Sequence, residues 1–386
     1  MPKRPARMRD IVSIGVERIA DVADSSRADL LRLENLDVDL PPCEAAMERT
    51  RAAAGRDADN SYLPFVGQHR LREVVAHHVS RISGVTYDER HCVITPGGLA
   101  GILNVLLATI DTADEVIVTD PTYAGLLNRI RLAGGVPKFV PFEFASGAHW
   151  KLDRAALQAA IGPRTRAMLL MSPSMPSGGL LTEADWRLVA ELCCAHDLLL
   201  VVDAAMERLV FDGHGAIHPA GLAGMRERTV TVGSASKELR MIGWRVGWIV
   251  GPEQYMPDIA AVSLANCVVP VGIAQDAAAI ALEDSHASIG AYVSELERRR
   301  DVMVNELRGL PVGVPGGGWS LLLRVGDFGL DGARMSARLL EHGIAATGMA
   351  GWGERHGPQY IRFVFSNEPI HRLRGVGDKV RRALEG

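Results

Sequence analysis

From about residue 90 to about residue 250, short apolar runs alternate with stretches of helical period, and this alternation constrains the fold more than any other feature of the chain. The runs read HCVIT, EVIVTD, VPKFVPF, AMLLM, LLLVVD, TVTVG and VGWIVG, and between them stand GLAGILNVLLATI, YAGLLNRIRLAGG and TEADWRLVAELCCAH. Strands separated by helices join side by side through crossovers, which makes the sheet mostly parallel. The runs carry Val, Ile and Leu at successive positions instead of every second one, so both faces of the sheet are expected to be buried. The expectation is an α/β unit with a mostly parallel sheet of seven strands covered by helices.

After about residue 285 the pattern changes to a long charged helix, ASIGAYVSELERRRDVMVNELRGL, then a strand WSLLLRV, a further helix, a strand YIRFVFS and a basic terminal helix. This reads as a smaller α+β unit, and the first 45 residues, which hold no crossover, are expected to pack beside it. The predicted division is a large domain over 46–285 and a small one over 1–45 and 286–386. A chain of 386 residues with 47% hydrophobic and 23% charged content is long enough for two such cores.

Composition excludes several classes of function. A formal charge of -4 gives no basic face for nucleic acid, and the locally basic HRLRGVGDKVRRALEG is read as a solvated helix face. No window is apolar for long enough to span a membrane, and the start MPKRPARMRDIVSIGVERIAD lacks the apolar core of a secretory signal. Cys43, Cys92, Cys193, Cys194 and Cys267 show no CxxC spacing, which argues against a zinc site and for a reduced, cytoplasmic protein. The twelve histidines show no HExxH-like cluster.

In an open parallel sheet, ligands collect beyond the carboxyl ends of the strands. After HCVIT come Gly97, Gly98 and Leu99, which open a helix and are either a tight turn or a phosphate cradle. After EVIVTD comes Tyr123, a core aromatic or a ring placed to stack on a flat ligand. After LLLVV comes Asp203, either a turn cap or a counter-charge for a cationic ring nitrogen. After TVTV comes GSASKELRMIGWRVGW. Lys237 here is seldom the kind of residue to be buried without a reason, and its amine can form a Schiff base with a carbonyl cofactor. Ser234, Ser236 and Arg245 could hold a phosphate, with Gly243 and Gly247 allowing the backbone to approach on either side of Arg245.

These residues resemble the fold type I pyridoxal-phosphate enzymes, in particular the class I/II aminotransferases. The Schiff-base signature of that family is met at Ser234, Ser236, Lys237, Gly243, Arg245 and Gly247, and the stretch YLPFVGQHRLR matches an early landmark at Tyr62, Gly67, Leu71 and Arg72. The resemblance implies pyridoxal 5'-phosphate joined to Lys237 and a phosphate held by the Gly97–Leu99 turn, Ser234, Ser236 and Arg245. It implies Tyr123 stacked on the ring, Asp203 paired with the ring nitrogen and Arg362 clamping the α-carboxylate of the substrate; from the residues alone, Arg362 could equally be an ion-pair partner. It also implies a homodimer with shared active sites, in which Tyr62 reaches the cofactor phosphate of the neighbouring subunit.

Three departures bear on the reaction. SPSMPSG puts Met175, and the run Asp203-Ala204-Ala205-Met206 puts Met206, where the family keeps an asparagine and a tyrosine that donate to the cofactor's phenolic oxygen. A thioether cannot donate. Leu36 in LENLDVDLPP stands where the family has glycine beside the substrate carboxylate. The expected activity is exchange of an amino group between an L-amino acid and a 2-oxo acid. The methionines raise the alternatives of a lyase, decarboxylase, γ-substitution enzyme or oxidative deaminase, while a regulatory module would call for a DNA-binding domain ahead of residue 50. Leu36, Trp319, Trp352, Glu238 and Arg240 are candidates for lining the pocket.

Overall fold

The structure is a computed structural model that describes residue 5, residues 8–24 and residues 30–385. Of the segment 1–45 expected to join the small domain, residues 1–4, 6–7 and 25–29 lie outside the described residues. Fourteen strands follow in chain order: β1 (Leu31–Arg32), β2 (Cys92–Thr95), β3 (Glu115–Asp120), β4 (Val136–Glu143), β5 (Lys151–Leu152), β6 (Thr165–Met171) and β7 (Leu199–Asp203). They continue as β8 (Thr229–Ser234), β9 (Gly247–Val250), β10 (Val312–Gly313), β11 (Ser320–Arg324), β12 (Ile344–Ala345), β13 (Thr347–Gly348) and β14 (Tyr360–Val364).

The main sheet has the order β2-β9-β8-β7-β6-β3-β4-β5. It contains all seven expected strands and an eighth, the two-residue β5, too short to leave a hydropathy signal. The pairs from β8 through β7, β6 and β3 to β4 are parallel, whereas β9 runs antiparallel to both β8 and β2. The reversal follows from the connection: between β8 and β9 the chain makes only the lysine-bearing loop and a 3₁₀ turn, Ile242–Trp244, with no crossover helix.

Alternate residues of each strand enter different cores. Val116, Val118, Leu199 and Val201 pack under the helices Gly98–Thr109, Ala124–Leu132 and Met256–Cys267. Ile117, Leu200 and Val202 face the other way, toward Trp186 and Val189 of the helix Glu183–His196. That helix starts on a reciprocal cap between Thr182 and Asp185. Burial on both faces is the physical reason the strands read as continuous apolar runs.

A second sheet, antiparallel in the order β10-β11-β14-β13, carries the helix Gly332–Glu341, and the helix Val376–Glu385 packs against that helix. The N-terminal segment joins it: β1 pairs in parallel with β12, and the Val364 N–H donates to the Leu33 carbonyl at 2.7 Å. The long charged helix begins earlier than its charge pattern suggests and runs unbroken from Gly272 to Glu306, 35 residues through the expected boundary at 285. Its first part buries Ala274, Ala277, Ala278, Ala281 and Leu282 in a core with Trp248 and Val250. Its second part buries Tyr292, Leu296 and Met303 in the core that also holds Phe363 and Trp319.

Candidate active site

The carboxyl ends of β2, β6, β7 and β8 lie at one edge of the sheet and bring Thr95, Met171, Asp203 and Ser234 to a common level. A cavity of about 200 Å³ opens there, lined by Leu36, Gly98, Leu99, Tyr123, Met171, Met175, Asp203, Ala205, Met206, Ser234, Ser236, Lys237, Ile242 and Arg245. Most of the residues singled out in the sequence therefore meet around one space.

One end of the cavity is a cluster of donors. The Ser234 hydroxyl donates to Ser236 Oγ at 3.0 Å and accepts from the Ser236 N–H at 3.1 Å. Arg245 Nη1 donates to the Ile242 carbonyl at 2.7 Å and approaches Ser236 Oγ at 3.4 Å. Arg245 takes the left-handed conformation, φ 54, as it ends the 3₁₀ turn. Beside it Gly97 has φ 93, and a Cβ there would stand 2.6 Å from Arg245 Nη2. Gly247 is equally confined, with a Cβ falling 2.5 Å from the Gly97 carbonyl carbon. Gly243 is different: beyond its own chain neighbours nothing among the described residues lies within 4 Å of its Cβ position, so the close approach expected on that side of Arg245 is not seen there. The helix Gly98–Thr109 starts at the same point, and no side chain caps its first N–H groups.

Lys237 projects between this cluster and Asp203. Its Nζ donates to the Leu36 carbonyl at 2.9 Å and lies 4.2 Å from the centre of the Trp319 ring. Burial lowers its amine from 10.5 to about 7; Asp37 and Asp203 oppose the shift, Arg362 and Arg245 add to it. Asp203, buried at the end of β7, accepts one hydrogen bond from the Ala205 N–H at 3.1 Å. Burial raises its carboxyl to about 6, against the Ala205 hydrogen bond and the charge of Lys237. A carboxylate in such a place is stabilised by a cationic partner.

Tyr123 is set at the start of the helix Ala124–Leu132 with its ring 5.2 Å from that of Trp352. Behind them lies Arg362, fully buried in the middle of β14. Its Nη2 donates to the Glu34 carbonyl at 2.9 Å and to Thr347 Oγ1 at 3.3 Å, and Trp352 covers one face of the guanidinium at 4.7 Å. Among the described residues Nη1 and Nε have no hydrogen-bond partner. Arg362 is not among the residues lining the cavity, although its charge acts on Lys237. Tyr62 is 80% exposed and stands apart from the cavity of its own chain.

Of the residues considered for the pocket wall, Glu238 is turned away: Arg208 Nε donates to it at 2.6 Å and the Arg208 N–H at 2.8 Å. Arg240 lies over the Tyr292 ring at 5.0 Å. Met171, Ala205 and Ile242 line the cavity without having been singled out. Met171 ends an apolar run, so the strand-end argument that selected Asp203 could have found it; for Ala205 and Ile242 no sequence signal distinguishes wall from core.

The residues present suit a phosphorylated aromatic aldehyde. Donors and bare backbone stand at one end, a primary amine in the middle, and a buried carboxylate with few partners at the strand end. This is the site of a cofactor-dependent enzyme built on a two-faced α/β sheet. The chain belongs to the aminotransferase class I and II family, whose model matches residues 29–372. It is 33% identical over 345 residues to an arginine–pyruvate transaminase of Pseudomonas aeruginosa, covering 87% of this chain and 85% of that protein. It is 30% identical over 328 residues to the human kynurenine–oxoglutarate transaminase 1, covering 79% and 76%. Among solved structures, aspartate aminotransferase from Thermus thermophilus with maleate superimposes with a TM-score of 0.90 at 28% identity, covering 99% of this chain and 100% of that one. N-succinyldiaminopimelate aminotransferase from Mycobacterium tuberculosis gives 0.89 at 27% identity, covering 99% and 98%. The protein is thus a pyridoxal-phosphate-dependent aminotransferase acting between an amino acid and a 2-oxo acid, and the lyase, decarboxylase, substitution and oxidative alternatives are not favoured.

Proposed function

We propose that Lys237 is the cofactor-bearing lysine and the group that moves the proton. Pyridoxal phosphate, when bound, supplies the aldehyde for the Schiff base and a ring that accepts the electron pair of the substrate Cα–H bond. The observation that carries the assignment is the convergence of Lys237, Asp203, Ser234, Ser236 and Arg245 on one cavity. Ser234, Ser236, Arg245 and the Gly97–Leu99 turn hold the phosphate, with the guanidinium as its main counter-charge. Asp203 would be the counter-charge for a protonated ring nitrogen, and Tyr123 would offer an aromatic face to the ring. The free Lys237 amine would take up the proton from the substrate Cα and later give it back, and an amine held near 7 by burial is suited to serve as base and acid in turn. Arg362 clamps the α-carboxylate through Nη1 and Nε, which make no hydrogen bond among the described residues.

The active unit is a homodimer in the cytoplasm, each Tyr62 reaching the cofactor phosphate of the other subunit. The exposure of Tyr62, together with exposed Phe65, Leu264, Val268 and Val271, supports this reading. Residues 46–285 form the large cofactor-binding domain and 1–45 with 286–386 the small one, the helix Gly272–Glu306 being shared between them.

Borohydride reduction followed by peptide mass spectrometry tests the linkage: the pyridoxyl mass is expected on the Lys237 peptide, and its presence on another lysine would overturn the assignment. Spectral titration with arginine, kynurenine and aspartate, each paired with pyruvate or 2-oxoglutarate, then identifies the donor and acceptor. Sedimentation velocity reads the dimer.

A further inference from the structure

The amine of Lys237 has two neighbours of unlike kind, the Leu36 carbonyl at 2.9 Å and the face of the Trp319 indole at 4.2 Å. Trp319 is 1% exposed and directly precedes β11. Among the described residues neither its N–H nor the hydroxyl of Tyr292 has a hydrogen-bond partner. The two groups face one another outside hydrogen-bond geometry: burial pushes the Tyr292 phenol up, and the nearby Trp319 N–H acts against that push. On the far side of Tyr292 lies the Arg240 guanidinium, 5.0 Å from the ring centre. Arg240 leads back to the start, since its N–H donates to the Lys237 carbonyl at 3.2 Å and its φ of 59 turns the loop inward. Lys237, Trp319, Tyr292 and Arg240 therefore close a ring of contacts linking the lysine loop, the strand end and the helix Gly272–Glu306.

We propose that Trp319 is a positioning residue for Lys237: its indole face and the Leu36 carbonyl form a seat for the amine whenever the amine is free of the cofactor, and Tyr292 with Arg240 keeps the indole from turning. The proposal rests on the reading of Lys237 as the cofactor-bearing lysine. The negative face of an indole attracts an ammonium and not a neutral amine. The seat therefore opposes the burial that discharges the lysine, and it holds Nζ at one place between proton transfers. The other charged groups facing the amine are Asp37 and Asp203, which favour its charged form, and Arg362 and Arg245, which oppose it. Substitution at Trp319 leaves all four in the chain.

The test follows modification of Lys237 by an amine-selective reagent as a function of pH in the full-length chain freed of pyridoxal phosphate, read by peptide mass spectrometry. Trp319→Leu is expected to lower the titration midpoint by about one pH unit, and Trp319→Phe, which keeps an aromatic face, to recover more than half of that. Replacing the tryptophans by 5-fluorotryptophan, which weakens the ring's negative face and keeps its shape, is expected to lower the midpoint by an intermediate amount. This arm holds even where the leucine variant does not fold. Equal midpoints in native and fluorinated chains, or equal falls in the Leu and Phe variants, overturn the proposal. Absence of borohydride-fixed cofactor on Lys237 of the native chain overturns the assignment of the lysine instead, and the midpoints, measured without cofactor, judge the seat separately.

Discussion

At one end of the cavity Ser234, Ser236 and Arg245 crowd against glycines so closely that a single Cβ at Gly97 would meet the guanidinium at 2.6 Å; at the other end Met171, Met175 and Met206 present thioethers. The first end is held by charge and by backbone contact, where a change of one atom has nowhere to go. The second is lined by flexible, polarisable side chains that fill space without fixing a hydrogen-bond geometry. A wall of the first kind suits a group that must be held in one place, whereas a wall of the second kind tolerates changes in what it faces. The two ends should therefore fail differently when altered.

The largest effect is expected midway between them. Lys237→Ala should lower the rate of amino transfer by about three orders of magnitude or more, while pyridoxal phosphate still binds through its phosphate; loss of binding and rate together would place the lysine with the anchor. The same residue gives a pH signature in the cofactor-free chain. Its folded value, about 7, lies below the ordinary 10.5, so raising the pH through that window takes the proton from the lysine in the unfolded chain alone, and stability rises. Relative to Lys237→Met, the native chain should be less stable by a few kcal/mol, in order of magnitude, below pH 7. The gap should close toward pH 10.5 in urea melts. Arg245→Ala should raise the dissociation constant for pyridoxal phosphate by roughly 10- to 100-fold, measured by fluorescence titration. Arg362→Lys, which removes the planar fork, should raise KM for the amino donor by about tenfold with a smaller change in kcat. At the thioether end, Met175→Asn should act more gently. A new donor beside the phenolic oxygen favours its anion, so the midpoint of the bound cofactor's visible band should fall by about half a pH unit with cofactor affinity nearly unchanged.

The same contrast explains what the sequence disclosed. The donor cluster sits on the single loop that joins β8 to β9, so its order along the chain already brings it together in space, and Ser234, Ser236, Lys237 and Arg245 could be read together. The strands of the main sheet were legible because burial on both faces leaves an unbroken apolar run. The direction of β9 was not, since it depends on the length of a connection and not on hydropathy. The early start of the helix at Gly272 was hidden because GIAQDAAAIALEDSH is buried on several sides and has no polar stripe. Trp319 meets Lys237 across 82 positions of sequence (319 minus 237), a contact that only tertiary packing creates. The depth of Arg362 was equally concealed, for a strand with an arginine at its centre reads the same whether that residue faces water or a substrate.

The unbroken helix from Gly272 to Glu306 has a consequence of phase. Near its end Arg299 is fixed to Asp39 and to the Ser366 carbonyl, and Arg300 to Asp212 and the Pro315 carbonyl. Its beginning is fixed by alanines in the core it shares with the helices Glu44–Ala53 and His69–Ser83. One residue inserted between those stretches would rotate the second part by about 100° and carry it about 1.5 Å along the axis, so both arginines would point away from their partners. The interval between Leu282 and Arg299 thus behaves as a ruler whose exposed positions can change in kind while its length cannot.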